Sequence, residues 1–139
     1  MGKKTKVVID TNVMVSAFGW HGKPEEIVRL VTKGRITNFI SIEILTELGR
    51  VLSYAKFKFS EALQVEIIET VFSMSSVVST SEPLNIIVDD PEDNKILECA
   101  ASAKVDFIIT GDKHLLNLKS FRGVEILTPE EFLLKWSGT

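Results

Sequence analysis

An α/β fold, with a parallel sheet covered by helices on both faces, is what this sequence predicts, on two observations. Five short β-rich runs, 6–9, 37–40, 76–79, 106–109 and 123–126, are separated by stretches that carry helix signals, and strands alternating with helices build parallel sheets through helical crossovers. The runs 6–9 and 106–109 are nearly all apolar (Val7-Val8-Ile9 and Phe107-Ile108-Ile109), as central strands buried on both faces should be. A chain of 139 residues is the size of one domain. No repeat, low-complexity segment or long linker divides it, so residues 1–139 are expected to form a single unit.

The helices follow from their ends. Residues 24–33 open with Pro24 in a first-turn position and stop before Gly34. Residues 42–53 follow Ser41 and residues 61–73 follow Ser60, both good N-caps. A further helix begins after Pro91, with Asp90 as its N-cap, and its apolar stripe is Ile96, Leu97, Ala100, Ala101 and Ala103. Thr128-Pro129-Glu130-Glu131 is a capping box with proline at its first helical position, and it opens a C-terminal helix through Trp136.

Composition narrows the function classes. Hydrophobic content of 45% supplies a core, and charged content of 25% is ordinary for a soluble protein. No apolar run approaches the ~20 residues of a membrane span, so no membrane association is expected. The basic N-terminus leads into an apolar run broken at Asp10 and Asn12, which is not a signal-peptide pattern; a cytoplasmic location is expected. The single cysteine, Cys99, excludes an internal disulfide and a cysteine-based metal cluster. A net charge of −3 argues against a nucleic-acid surface, unless acids that hold cations are set aside, which leaves the rest near neutral. Lys113 and Arg122 then become the first candidates for phosphate contacts, Lys113 beside Asp112 and Arg122 at the start of the strand that follows.

Four acids lie at the edges of these elements. Asp10 ends the first strand, Glu47 lies in the helix after Ser41, Asp93 stands just after Pro91, and Asp112 follows Thr110-Gly111 beyond the fourth β-run. Strand ends and adjoining helix starts are where open α/β sheets gather ligand sites. Converging carboxylates repel, by roughly 3 kcal/mol per pair at ~5 Å and an effective dielectric of ~20, and such clusters usually exist to hold a hard divalent cation. Each acid also has a local reading. Asp10 and Asp112 could be helix N-caps, and Asp93 could favour the helix dipole. Asp93 falls in the middle of its helix's apolar stripe, however, which dipole pairing does not explain. Glu47, on the flank of a stripe made by Ile44, Leu45, Leu48, Val51 and Leu52, reads on spacing alone as an exposed helical glutamate. There is no glycine-rich phosphate loop, no Ser/His/Asp arrangement and no H-E-x-x-H pattern. His21 and His114 have no spacing that suggests a base, so catalysis would depend on water activated by metal.

Taken in order, Val8-Ile9-Asp10-Thr11-Asn12-Val13, Ser41 through Leu48, Asp90 through Ala100 and Ile109 through Leu116 resemble the PIN-domain family, the nuclease family of many prokaryotic toxin–antitoxin toxins. The resemblance runs from about residue 6 to 132. It implies a three-layer α/β/α sandwich, Rossmann-like, with a parallel five-stranded sheet and an acidic pocket at the strand carboxyl ends. It assigns catalytic and metal-binding roles to Asp10, Glu47, Asp93 and Asp112, and supporting polar roles to Asn12 and Thr110. It further implies RNA cleavage with Mg²⁺ or Mn²⁺, one or two ions per site, products with 5′-phosphate and 3′-hydroxyl ends, a homodimer and a small antitoxin partner.

Two rival classes are distinguishable. A non-catalytic RNA-binding or protein-docking domain could use the same scaffold, and loss of metal-dependent cleavage in Asp10→Asn separates the two. A haloacid-dehalogenase-like phosphatase would need a second aspartate two positions after Asp10, where this chain has Asn12.

Overall fold

A computed structural model describes residues 4–87 and 90–137; Lys3, in the basic N-terminal run, lies outside them. At the centre is β1 (Thr5–Ile9), flanked in parallel by β2 (Ile36–Ile40) and β4 (Phe107–Ile109), with Val7 opposite both Asn38 and Phe107, and Ile9 opposite Ile109. Beyond β2 lies β3 (Ser75–Val77), and beyond β4 lies β6 (Val124–Leu127), both parallel to their neighbours. A sixth strand, β5 (Ser120–Phe121), pairs antiparallel with β6, giving the order β3-β2-β1-β4-β6-β5.

The expectation of five strands is thus corrected to six. The five predicted strands are the parallel ones; the addition is a two-residue edge strand. It is joined to β6 by a tight turn in which Arg122 and Gly123 both have positive φ (51° and 83°), the geometry of a two-residue hairpin loop. Two residues cannot display an alternating pattern, so the sequence carries no periodic signal for β5.

Val7 and Val8 are both fully buried. Consecutive strand side chains point to opposite faces, so helices cover the sheet on both sides. The predicted helix 24–33 is found as α2 (Lys23–Thr32), 42–53 as α3 (Ile42–Leu52) and 61–73 as α4 (Glu61–Met74). Ser41 and Ser60 cap α3 and α4 by accepting from the Ile44 and Leu63 amides. The C-terminal capping box forms in both directions: Glu131 accepts from the Thr128 amide and Thr128 Oγ1 accepts from the Glu131 amide, at the start of α7 (Pro129–Ser137). The remaining helices are α1 (Thr11–Gly19), α5 (Asn94–Ala103), preceded by a 3-10 turn at Pro91–Asp93, and the short α6 (Lys113–Leu116). α5 packs on β1, β2 and β4, while α2 packs on β2 and α7.

The strand order reverses at β1 and β4: the chain runs outward from β1 through β2 to β3, then returns to the other side. The carboxyl ends of β1 and β4 therefore form the switch point at which open parallel sheets bind ligands. A buried polar clamp fixes this end. Asn38 on β2 is 1% exposed; its Oδ1 accepts from the Ile9 amide (3.1 Å) and its Nδ2 donates to Ser75 Oγ (2.9 Å).

Candidate functional site

Asp10 follows β1 directly, and its amide continues the ladder by donating to the Ile109 carbonyl (2.9 Å). It occupies the N-cap position of α1, yet its side chain makes no capping hydrogen bond. Instead Thr110, fully buried at the end of β4, donates through Oγ1 to Asp10 Oδ2 at 2.7 Å. The same hydroxyl accepts from the Asp112 amide at 2.9 Å. One threonine thus fixes the carboxylate after β1 relative to the backbone that carries the acid after β4. Burial pushes the Asp10 carboxyl above its usual range, hydrogen bonds from Thr110 and from the Thr11 backbone oppose the shift, and the charges of Asp112 and Asp90 add to it.

Asp112 does cap α6, accepting through Oδ1 from the amides of His114 (2.7 Å) and Leu115 (3.4 Å). These bonds use one of its two oxygens. The capping and site readings of Asp112 are therefore compatible.

Asp93, the last residue of the 3-10 turn before α5, is 8% exposed, buried as its place in the apolar stripe predicts. Its Oδ2 is buried with no hydrogen-bond partner among the described residues, and the same holds for His114 Nδ1, 3.9 Å away. Burial, then the charges of Asp112, Asp90 and Asp10, push the Asp93 carboxyl up to about 8. A ligand atom from each of Asp90, Asp93, Asp112 and His114 lies within 4.8 Å of every other. Buried polar atoms normally find hydrogen-bond partners. A carboxylate oxygen and an imidazole nitrogen 3.9 Å apart with no hydrogen bond among the described residues, the nitrogen also 3.6 Å from Asp112 Oδ1, have the arrangement a cation would complete. Oxygen donors suit Mg²⁺ and Mn²⁺; the one nitrogen favours the transition ion.

Glu47 closes the far wall. Spacing assigned it to an exposed flank, but its side chain is only 15% exposed, because the start of α1 and the 3-10 turn roof that flank. Its Oε2 accepts from Thr11 Oγ1 (3.1 Å) and its Oε1 from Arg50 Nη2 (3.2 Å). Burial and then neighbouring Glu92 raise its carboxyl, whereas Glu92 is lowered, first by the hydrogen bond from Lys95. Glu43, one turn earlier, is exposed.

These groups line one cavity of about 240 Å³, whose walls include Asp10, Thr11, Asn12, Glu47, Asp93 and Asp112. A larger cavity of about 480 Å³ between α2 and α7, lined by Lys23, Arg29, Leu133 and Trp136 among others, lies away from this cluster. Lys113 is exposed at the start of α6, beside the site but outside the cavity lining. Arg122 lies elsewhere: it sits in the turn before β6, at the amino end of the parallel strands, and forms an ion pair with Glu82 at 2.8 Å. Nearness to the start of a strand had suggested a site role, but in a parallel sheet strand starts and strand ends are on opposite edges. Asp90, Thr11 and His114 were the groups the sequence reading missed as site members. Asp90 was explained by its cap, which it does make to the Glu92 amide (3.3 Å); Thr11 and His114 lie within two residues of Asp10 and Asp112, and that adjacency was the available signal.

Residues 6–114 match the PIN domain family. An uncharacterized protein of Methanocaldococcus jannaschii is 34% identical over 142 residues, which covers 94% of this chain and 90% of that protein. Among solved structures, VapBC2 from Rickettsia felis, bound to a DNA fragment from its promoter, superposes with a TM-score of 0.62 at 17% identity, covering 88% of this chain and 97% of that one. PAE2754 from Pyrobaculum aerophilum superposes with a TM-score of 0.65 at 14% identity, covering 98% of this chain and 92% of that one. Over most of its length, in sequence and in fold, the chain belongs to the PIN-domain family.

Proposed function

We propose that the chain is a divalent-metal-dependent endoribonuclease, the toxin of a toxin–antitoxin pair, acting in the cytoplasm as a homodimer controlled by a small antitoxin protein. One observation carries the catalytic reading: the buried Asp93 Oδ2, without a hydrogen-bond partner among the described residues and ringed by the charges of Asp112, Asp90 and Asp10. A fold that keeps these charges together without a cation gives up stability, and binding one restores it.

In this reading Asp10, Glu47, Asp93 and Asp112 hold one or two Mg²⁺ or Mn²⁺ ions, with Asp90 and His114 in reach. A divalent ion bound there would lower the pKa of its water and offset charge on a phosphodiester. The chain's own work is positional. Thr110 holds Asp10 and the Asp112 backbone in register, and Thr11 holds Glu47 across the cavity. Asn12, exposed on the cavity wall, presents an amide to a phosphate or ribose oxygen. Lys113 is the nearest candidate for a phosphate contact outside the cavity. The antitoxin and toxin roles are drawn from the family resemblance and from the VapBC2 likeness.

The test is incubation of purified protein with mixed RNAs in Mn²⁺, in Mg²⁺ and in chelator. Cleavage should require metal and should fall by orders of magnitude in Asp10→Asn, whose amide oxygen can still accept from Thr110. Glu43→Gln should cleave as wild type while Glu47→Gln does not. Cleavage unaffected by chelator would refute the reading.

A further inference from the structure

The connection from α3 to α4 alternates aromatic and basic residues: Tyr54-Ala55-Lys56-Phe57-Lys58-Phe59. Tyr54 and Phe57 stack at 6.5 Å with 9° between planes, Phe57 and Phe59 at 5.9 Å with 21°, and Trp20, just after α1, meets both phenylalanines edge-on at 6.0 and 6.4 Å. Lys56 lies over the Phe57 ring at 5.1 Å. Phe57 and Phe59 are half-buried against the core, and core packing accounts for them. It does not account for the outer members. Trp20 is 54% exposed and Tyr54 40%, and Lys56 and Lys58 are exposed without an ion pair among the described residues. Tyr54, Lys56 and Phe57 line the same cavity as Asp10, Glu47, Asp93 and Asp112.

A wall of this composition beside an acidic cluster needs a ligand with two properties. The acids call for a cation and, through it, a phosphate; the rings call for flat π-faces; the lysines call for further negative charge. An unpaired nucleic-acid strand offers all of these, whereas a duplex keeps its base faces stacked inside. We propose that Trp20 and Tyr54 form a stacking platform for unpaired RNA bases next to the cleavage site, with Lys56 and Lys58 meeting the adjoining phosphates. Aromatic side chains along a cationic track are how proteins hold single strands without reading sequence. The inference rests on the nuclease reading of the acids, but the two can fail separately.

The test measures binding of short fluorescent RNAs, single-stranded and fully paired, in Mn²⁺, using Asp10→Asn protein so that the RNA stays intact. Tyr54→Leu and Trp20→Leu are compared in that background, with thermal melts to confirm folding; both rings are exposed enough for the fold to tolerate their loss. Single-strand affinity should exceed duplex affinity and should fall about tenfold with each leucine, while Lys56→Gln with Lys58→Gln should flatten the salt dependence. In otherwise wild-type protein the leucine variants should raise KM about tenfold and leave kcat within about twofold. Equal binding of single strand and duplex, or leucine variants that bind RNA as tightly as the parent, would overturn the platform, and so would leucine variants that keep RNA but lose a co-purifying protein partner. Metal-dependent cleavage with unaltered KM in the variants sinks the platform alone. Ring-dependent single-strand binding by a protein that never cleaves sinks the nuclease reading alone.

Discussion

Asp93→Asn removes a carboxyl that the fold holds far above its ordinary range. Its ordinary value of 3.8 becomes about 8 in the folded chain, so the folded state keeps a proton that the unfolded chain releases. The sign follows from linkage: this protonated group stabilises the fold fully below about pH 4, and the contribution is lost as pH rises from there through about 8. At ~1.4 kcal/mol per unit, an isolated group would lose about 4 kcal/mol between pH 4 and pH 7, and roughly half of that when neighbouring carboxylates share the protons. Asparagine cannot ionise. In chelator, Asp93→Asn should therefore melt close to wild type at pH 4.5 and above it at pH 7.5. The gap should be about 5–15 °C, taking about 2–4 °C per kcal/mol for a chain of this size. Mn²⁺ at a hundredfold excess over its Kd should stabilise wild type by roughly 2.7 kcal/mol and the variant by much less. Thermal melts at both pH values, with and without Mn²⁺, read all four numbers. A variant that melts below wild type at pH 7.5 in chelator, with an undiminished Mn²⁺ shift, would refute the reasoning and leave Asp93 a scaffold residue.

Two further outcomes are expected. Thr110→Val keeps the shape but removes the donor to Asp10 and the acceptor for the Asp112 amide; urea unfolding should show a loss of roughly 1–3 kcal/mol, and calorimetry a weaker Mn²⁺ affinity. His114→Ala should weaken Mn²⁺ binding more than Mg²⁺ binding, because an imidazole nitrogen suits the transition ion better. The chain has two histidines, so pulsed EPR of bound Mn²⁺ should show nitrogen coupling that disappears in His114→Ala and persists in His21→Ala.

The parallel strands were legible because their signal is local: Val7-Val8-Ile9 and Phe107-Ile108-Ile109 are apolar runs bounded by polar residues, and capping serines marked α3 and α4. Asp93 was legible as an inward-facing charge because one helix's periodicity suffices to place it. Glu47 was not, because what buries it comes from two distant parts of the chain, Thr11 and the turn carrying Glu92, and the burial pattern of α3 alone holds no trace of either. Arg122 was misplaced for a related reason: sequence distance from Asp112 ignores the direction of the strand between them. His114 escaped because it joins the cluster through a buried nitrogen without a hydrogen bond among the described residues, a property of the folded site and not of spacing.

The chemistry of the RNA ends tests the central claim most directly. A cation held by Asp10, Glu47, Asp93 and Asp112 would supply an activated water for attack on phosphorus with the 3′-oxygen as leaving group. On the proposed reading, fragments made in Mn²⁺ should therefore carry 5′-phosphate and 3′-hydroxyl ends. They should be absent in chelator and in Asp10→Asn. Fragments ending in 2′,3′-cyclic phosphate, formed equally well in chelator, would mean that the ribose hydroxyl attacks without a metal, and would contradict the account of these four acids.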